Sequence, residues 1–470
     1  MDIRLKFTRF RLCFTSLCFL VFTLGSSNMI GQFSAPVDTS FKISKKKFIP
    51  LVESIASNAL INRINVWVQD ADWARISLQS WGNNIKHGFE SDGDKFGTNF
   101  LLHPLQGSLY YNAARSCGYS YWQSIPNVVV GSFMWEFLGE TQYASEIDVN
   151  TTTLGGVYLG EISYRLTRSL TNNHDKRRFK PLRKITAFLI NPLSQINSWL
   201  YRDVKQYLNH KNYSYTPIRS MVGIGANLPY GNILSGNLST RFQLSYQIEY
   251  GDLFSRKSKY TPFDFFYLKS WLNFSLVDEE NPLFFNLTSH APIARFKLNN
   301  NSIFCISQHF DFLHNHIFQQ GDLCVTADYI FKKTTENINL ITSVRAGLTL
   351  FGSTSSEIID FLIAQGKLNT DRDYIYGRGF AFDTELLLSI KKLGELTISY
   401  NTWFLYTQRD AIGTEYSQIL KINHRFPVYK GFSIGTEFYT YHRQAKYPLE
   451  GFQSISKGYS EFRLLGNYSF

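Results

Sequence analysis

Polar side chains that could do chemistry concentrate between residues 96 and 165, within an otherwise apolar context. A histidine with several carboxylates could bind a metal ion or transfer protons. The chain contains no His-x-x-x-His or Cys-x-x-Cys spacing, so the sequence predicts neither a metal site nor a cofactor. The polar network predicted for this stretch comprises Asn99, His103, Arg115, Glu136, Glu140, Asp148, Glu161 and Arg165.

Arginine–carboxylate pairs in such a stretch are common as buried scaffolding. We expect Arg115 to pair with Glu136 or Glu140, because its planar fork suits a carboxylate. Arg165 should pair with Glu161, which lies one helical turn earlier. A structural network is therefore favoured over a ligand site or an active site.

A second candidate group lies in the later segment 307–311. Ser307, His309 and Asp311 fall on one face of a predicted strand, as an outer-membrane lipid hydrolase could use them. The polar lumen that a barrel needs explains the same residues. We therefore predict no catalytic residue, and keep this group, with His103 and Glu136, as alternatives.

The elements that carry these groups change character along the chain. From about residue 211 to 470, apolar and polar residues alternate, which is typical of strands with one apolar face. In one such segment, Phe242, Leu244, Tyr246 and Ile248 should face lipid. Their polar neighbours Arg241, Gln243 and Glu249 should face a lumen.

About twelve such segments occur, and aromatic residues make up 16% of the chain. A chain this aromatic with a mean hydropathy of only -0.18 suits strands that lie between lipid and water. The sequence predicts an antiparallel transmembrane β-barrel of roughly twelve strands. Their predicted starts are residues 217, 239, 262, 283, 302, 321, 337, 374, 394, 414, 431 and 454.

The preceding residues, 51–210, have helical periodicity, so the predicted fold class is α+β. We expect this helical domain to plug or cap the periplasmic mouth of the barrel. No run of 18 apolar residues follows the N-terminal segment, so no spanning helix is expected. A basic flank beside the Trp199 segment is typical of a membrane interface, or of a packed helix with a solvated edge.

Residues 1–31 have the basic and apolar regions of a secretory signal peptide, and residues 32–50 are predicted to be a flexible lead. The formal net charge of +11 favours contact with anionic lipid or lipopolysaccharide, although simple solubility also explains it. Nothing in the chain indicates nucleic-acid binding.

The stretch from about 70 to 200 resembles an uncharacterised family of Gram-negative outer-membrane proteins, the domain-of-unknown-function family 3943. The resemblance implies the outer membrane and leaves the activity open. Ser198-Trp199 departs from it, since an arginine is expected there. The matching elements are Asp72-Trp73-Ala74, Asn99, His103-Pro104, Gly107, Tyr110, Ala114-Arg115, Gly118, Gly131-Ser132, Trp135-Glu136, Glu140, Gly160-Glu161, Arg165 and Phe188-Leu189-Ile190-Asn191-Pro192.

Two functions agree with these observations. The first is a channel, a transporter or a structural protein of the envelope, without a specified small-molecule ligand. The second is a membrane-embedded enzyme that acts on lipid or lipopolysaccharide. Both place the protein in the outer membrane of a Gram-negative bacterium, where it would be inserted by the barrel assembly machinery.

Deletion of Phe470 should lower the amount of inserted protein, because we expect the assembly machinery to bind the aromatic end of the last strand. The folded fraction in purified outer membranes, measured by heat-modifiable migration in gels, tests this. Phe470→Tyr is the matched control and should insert normally. Equal insertion of the deletion variant and the unchanged protein would contradict the prediction.

Overall fold

The computed structural model describes residues 43–91, 93–171, 180–208, 218–230, 239–255, 260–279, 281–317, 319–407 and 409–470. The predicted signal peptide lies outside these residues, as does most of the predicted lead. The first helix begins at Ile49, and Lys46 Nζ lies 2.7 Å from Asp203 Oδ2. The end of the predicted lead is thus tied to the last helix before the barrel.

The N-terminal half is helical. Thr98–Leu102 is a π-helical turn that runs directly into the third helix. None of the described helices is long and apolar enough to cross a membrane. The helices are α1 (Ile49–Val68), α2 (Leu78–His87), α3 (His103–Ser116), α4 (Tyr121–Leu138), α5 (Glu146–Thr171), α6 (Lys180–Ile190), α7 (Pro192–Leu200) and α8 (Arg202–Leu208).

Twelve antiparallel strands form a closed barrel, which confirms the predicted fold class. The first and last strands close it, and Phe470 N donates to Ser220 O at 2.9 Å. A short helix, α9 (Glu357–Ala364), lies between β7 and β8. The strands are β1 (Ile218–Tyr230), β2 (Arg241–Tyr250), β3 (Phe266–Phe274), β4 (Leu283–Lys297), β5 (Ser302–His314), β6 (Gln319–Thr334), β7 (Ile338–Thr354), β8 (Ile375–Ile390), β9 (Gly394–Thr407), β10 (Gly413–Tyr429), β11 (Phe432–Lys446) and β12 (Ile455–Ser469).

One face of the barrel wall is apolar and exposed. Phe380 pairs in register with Phe404, and Phe438 pairs with Phe462, so each pair lies on one side of the sheet. All four side chains are exposed. Lipid tails match such a surface, whereas water does not. The closed wall and this face identify a transmembrane barrel of the Gram-negative outer-membrane type.

The opposite face of the wall carries charged side chains that meet across the lumen. Lys269 Nζ on β3 donates to Glu437 Oε1 on β11 at 2.9 Å. Trp403 Nε1 on β9 donates to Asp322 Oδ2 on β6 at 3.0 Å. Because these strands are not neighbours in the sheet, the contacts cross the interior. The lumen is therefore crossed at these two positions by the barrel's own side chains.

The helices pack against the outward face of the wall. Phe310 and Phe312 on β5 face outward, because the residue between them pairs with the lumen-facing Asp322. The ring of Phe96 stacks on Phe312 at 4.6 Å, and the ring of Tyr158 stacks on Phe310 at 5.9 Å. The predicted plug or cap is not supported by these contacts, since they lie outside the wall.

This packing corrects one prediction about lipid contact. Phe242 is 53% exposed and its neighbours Arg241 and Gln243 are buried, as their alternation predicts. Tyr246 and Ile248 face the same way as Phe242, yet they are only 1% and 3% exposed. They belong to the hydrophobic cluster that joins the wall to the helical domain. Alternation gives the face of a strand, but the sequence did not reveal what covers it.

Phe462 lies near the middle of β12 on the exposed face, so Phe462→Arg places a charge in the centre of the lipid layer. We expect it to lower the free energy of unfolding by about 2–4 kcal/mol. Phe462→Leu, the matched apolar control, should change it much less. Urea unfolding in lipid vesicles measures both, and equal effects would show that this face does not contact lipid.

Candidate metal centre

Five acidic and histidine side chains converge inside the helical domain. The ligand atoms of Glu136, Glu140 and Asp148 lie within 4.8 Å of one another. Those of Asp94, His103 and Asp148 do as well, so Asp148 belongs to both groups. His103 Nε2 lies 3.4 Å from Asp148 Oδ2 and 4.0 Å from Asp94 Oδ2. All except Asp94 are buried.

The ends of three helices position these groups. His103 opens α3, Glu136 lies in the last turn of α4, and Asp148 lies in the first turn of α5. Ser145 joins the last two, because its backbone N–H donates to Glu136 Oε2 at 2.9 Å and its hydroxyl accepts from the Asp148 N–H at 3.2 Å. Phe89–Glu90 and Ala144–Ser145 pair as a two-residue parallel ladder. This pairing brings the loop after α2, which carries Asp94, close to the start of α5.

Buried carboxylates at this separation need positive charge or shared protons between them. Desolvation and mutual repulsion both disfavour the ionised forms, and a cation relieves both. Several carboxylates with one imidazole suit Mn²⁺, Fe²⁺ or Zn²⁺. His103 Nδ1 lies 3.2 Å from Thr152 Oγ1, which fixes the ring and leaves Nε2 directed at the carboxylates. The arrangement can therefore hold a divalent cation.

The sequence does not predict this cluster as a metal site. Short ligand spacings are absent, because the candidate ligands lie at helix ends and in a loop, far apart in the chain. Asp94 was absent from the predicted polar network, because Gly93-Asp94 is typical of a turn. The four-residue spacing of Glu136 and Glu140, which brings both to one side of a helix end, was the only local signal.

A separate ion-pair cluster lies deeper in the domain, centred on Glu161. Arg115 Nε and Arg165 Nε each lie 2.8 Å from its carboxylate, and the Tyr111 hydroxyl donates to it at 2.7 Å. Arg115 therefore contacts Glu161 rather than Glu136 or Glu140, the partners predicted for it. The reason is the close approach of α3 and α5, which the sequence did not specify.

Contacts with the barrel hold the segment that carries Asp94. Phe96 N donates to Asp373 Oδ1 at 2.8 Å, and Asn99 Nδ2 donates to the Tyr374 hydroxyl at 2.6 Å. Both partners lie in the connection between β7 and β8. Asn99 is thus a link between the helical domain and the barrel, next to the acidic cluster.

The second candidate group from the sequence lies in the lumen. The Ser307 hydroxyl donates to Asp328, and His290 Nε2 lies 2.8 Å from the same carboxylate. His309 Nε2 contacts Thr326 Oγ1 at 2.9 Å instead of Ser307. Asp311 lies on the lumen face opposite Asp322. This arrangement lacks the serine–histidine contact that a catalytic triad requires.

Comparisons with known proteins agree with the family resemblance. Residues 88–193 match the family model of DUF3943, a domain of unknown function. No curated protein matches the chain.

Among solved structures, the chain is similar to the COG4313 outer membrane channel of Pseudomonas putida F1, with 9% identity and a TM-score of 0.25 over 54% of this chain and 95% of that one. It is also similar to the Vibrio cholerae outer membrane protein OmpT, with 6% identity and a TM-score of 0.18 over 55% of this chain and 99% of that one. A third similar structure is Pseudomonas aeruginosa OccK8, with 9% identity and a TM-score of 0.19 over 54% of this chain and 98% of that one.

Glu161→Gln should lower the free energy of unfolding by about 3–5 kcal/mol, because it removes the buried carboxylate that Arg115 and Arg165 both contact. The control is Glu90→Gln, which removes a half-exposed carboxylate 3.0 Å from His87 Nε2 and should cost at most about 1 kcal/mol. Chemical unfolding in vesicles compares the two. Similar losses would show that the Glu161 cluster is not a stabilising centre.

Proposed function

We propose that the protein is a metal-dependent hydrolase of the outer membrane, acting on lipopolysaccharide or another lipid. The observation that carries this proposal is the convergence of two groups of metal ligands on Asp148. Asp148 would be the carboxylate that both groups of candidate ligands share. The barrel would then serve as an anchor and support for the helical domain.

The filled lumen supports an anchoring role over conduction. Side chains from opposite walls meet at Lys269–Glu437 and Trp403–Asp322, inside the wall. Arg463, also buried in the lumen, adds a contact to Glu437 at 3.4 Å. A channel would have to separate these charged pairs before it could pass solutes.

The position of the metal ligands favours lipopolysaccharide as substrate. The connections 298–301, 335–337, 391–393 and 430–431 are short, as on the periplasmic side of outer-membrane barrels. The longer connection 355–374 lies at the other end and contacts the Asp94 segment. In that orientation, the site would lie at the end that faces the cell exterior, where the outer leaflet is rich in lipopolysaccharide.

The chemistry would be hydrolysis of an ester or a phosphoester. Asp148, His103, Glu136 and Glu140 would hold the divalent cation, and such a cation would supply Lewis acidity toward a substrate oxygen and would activate a water. Asp94, at 44% side-chain exposure, is the member of the cluster that reaches solvent and can accept the water's proton. The water oxygen bonds to the acyl carbon or phosphorus as the ester bond breaks, and the proton passes to the leaving oxygen.

Asp148→Asn should abolish tight metal binding, since it removes the ligand common to both groups. Thr152→Val, which removes the support of His103, should weaken binding by about 10–100-fold. Metal content of the purified protein after dialysis against Zn²⁺ or Mn²⁺, measured by mass spectrometry, tests both. Asp72→Asn, at an exposed site outside the cluster, should retain the metal.

Mass spectrometry of lipid A and phospholipids from cells with each variant tests the reaction. The proposal requires Asp94→Asn to insert and fold normally while the lipid modification is lost. If metal removal unfolds the domain and no lipid changes in any variant, the cation is structural and the envelope-structural function is the correct one. If the unaltered protein binds no metal, the proposal fails.

A further inference from the structure

The first helix has its polar side buried and its apolar side exposed. Its buried residues are Pro50, Ser54, Ser57, Asn62 and Asn65, which follow one helical stripe. Leu60 on the other side is 62% exposed. This pattern is the reverse of an amphipathic helix on a water-soluble domain, whose apolar stripe faces the core.

The buried stripe of α1 is held by hydrogen bonds. Asn62 Nδ2 donates to Ala74 O and to Gly139 O, each at 2.8 Å. Asn127 Nδ2 of α4 donates to Ser54 Oγ at 2.9 Å. The interior next to α1 therefore contains hydrogen-bonded polar side chains, and the apolar side chains of the helix lie on its outside.

Other helices repeat the inversion. In α7, Ser194 and Asn197 are buried, whereas Trp199 and Leu200 are exposed. In α4, the inversion is partial: the buried side combines Ser124, Ser132 and Glu136 with Tyr121, Val128 and Trp135, and the exposed side is largely apolar. The exposed apolar side chains of these two helices and of α6 are Trp122, Val130, Phe133, Ile185, Phe188, Leu189, Trp199 and Leu200.

The longest helix runs along the height of the barrel wall. At its start, Glu146 contacts Arg409 in the connection between β9 and β10. Near its end, Arg165 NH1 lies 2.9 Å from Asp264 Oδ1, in the connection between β2 and β3. These connections lie at opposite ends of the barrel. About 20 residues of helix span roughly 30 Å, the thickness of the hydrocarbon layer.

Charged residues border the apolar side of α1 at both ends. Lys45, Lys46 and Lys47 precede it, and Asp70 and Asp72 follow it. The 20 residues of α1, which lie between these borders, extend about 30 Å. An apolar band of this height between charged borders has the dimensions of a bilayer interior.

We infer that the helical domain lies in the outer membrane beside the barrel, with its exposed apolar side chains in contact with lipid acyl chains. The exposed side of α1, α4, α6 and α7 then continues the lipid-facing surface that Phe380 and Phe438 form on the barrel. The occupant of this surface is lipid rather than another protein, because the surface adjoins a wall already matched to the bilayer. This inference does not depend on the metal.

Close packing between α3 and α5 suits this environment. A Cβ atom on Gly156 would lie 2.5 Å from Gly107 Cα, so only glycine permits the approach of the two backbones. In lipid, burial of apolar side chains contributes little free energy to the association of helices. Close packing between small residues stabilises their association instead. The domain thus combines a polar interior, glycine contacts and an apolar exterior.

Spin labels on introduced cysteines test the inference in the full-length protein, reconstituted in phosphatidylcholine vesicles. Cys117, Cys305 and Cys324 are buried and should not react, and Cys13 and Cys18 in the predicted signal peptide are replaced by serine in every labelled variant. A label at Leu60→Cys should be more accessible to oxygen, which concentrates in lipid, than to a water-soluble nickel chelate. The barrel control Phe380→Cys should behave alike, and Asp72→Cys should show the reverse preference.

Two outcomes would overturn the inference. If the label at residue 60 were more accessible to the nickel chelate than to oxygen, as expected for Asp72→Cys, the helices would lie in water. A label at residue 60 that neither reagent reaches would mean that another protein copy covers the surface. Labels at Ile55→Cys and Trp199→Cys must agree with residue 60, and heat-modifiable migration verifies that each variant is folded.

Discussion

Backbone hydrogen bonding within the bilayer is the constraint on which the rest of this structure depends. Peptide groups in hydrocarbon find no water, so each must bond within the protein. The pairing of β12 with β1, which extends to the Ser220–Phe470 contact, leaves no open edge in the wall. A closed wall then forces each strand to offer one face to lipid and one to the lumen.

The division of faces determines where charge can reside. The lumen collects ion pairs such as Lys269–Glu437, because only there can charged side chains find partners away from lipid. The helical domain solves the same problem differently, by enclosing its polar groups between helices. Glu161, with Arg115 and Arg165, is the clearest instance, and a buried group of this kind is stable only when all of its members are present.

Two parts of the molecule meet at the acidic cluster. The helical domain supplies the carboxylates and the histidine, and the β7–β8 connection holds the Asp94 segment through Asp373 and Tyr374. A site built in this way has helix ends on one side and a supported loop on the other. Rigid elements fix the buried side chains of the cluster, whereas Asp94 in the loop retains access to solvent.

The sequence by itself determined the barrel, because a period of two fixes strand, face and approximate bounds, and it determined the helices before it. It did not determine which side of a helix is buried. Periodicity identifies the stripe that contains Ser54 and Ser57, but a helix with its polar side buried has the same period as a helix with its polar side exposed. Only the tertiary structure decided that Tyr246 lies under helices and that Arg115 meets Glu161. It also brought Asp94 to Asp148, because contacts between distant residues depend on how helices pack, which no local pattern specifies.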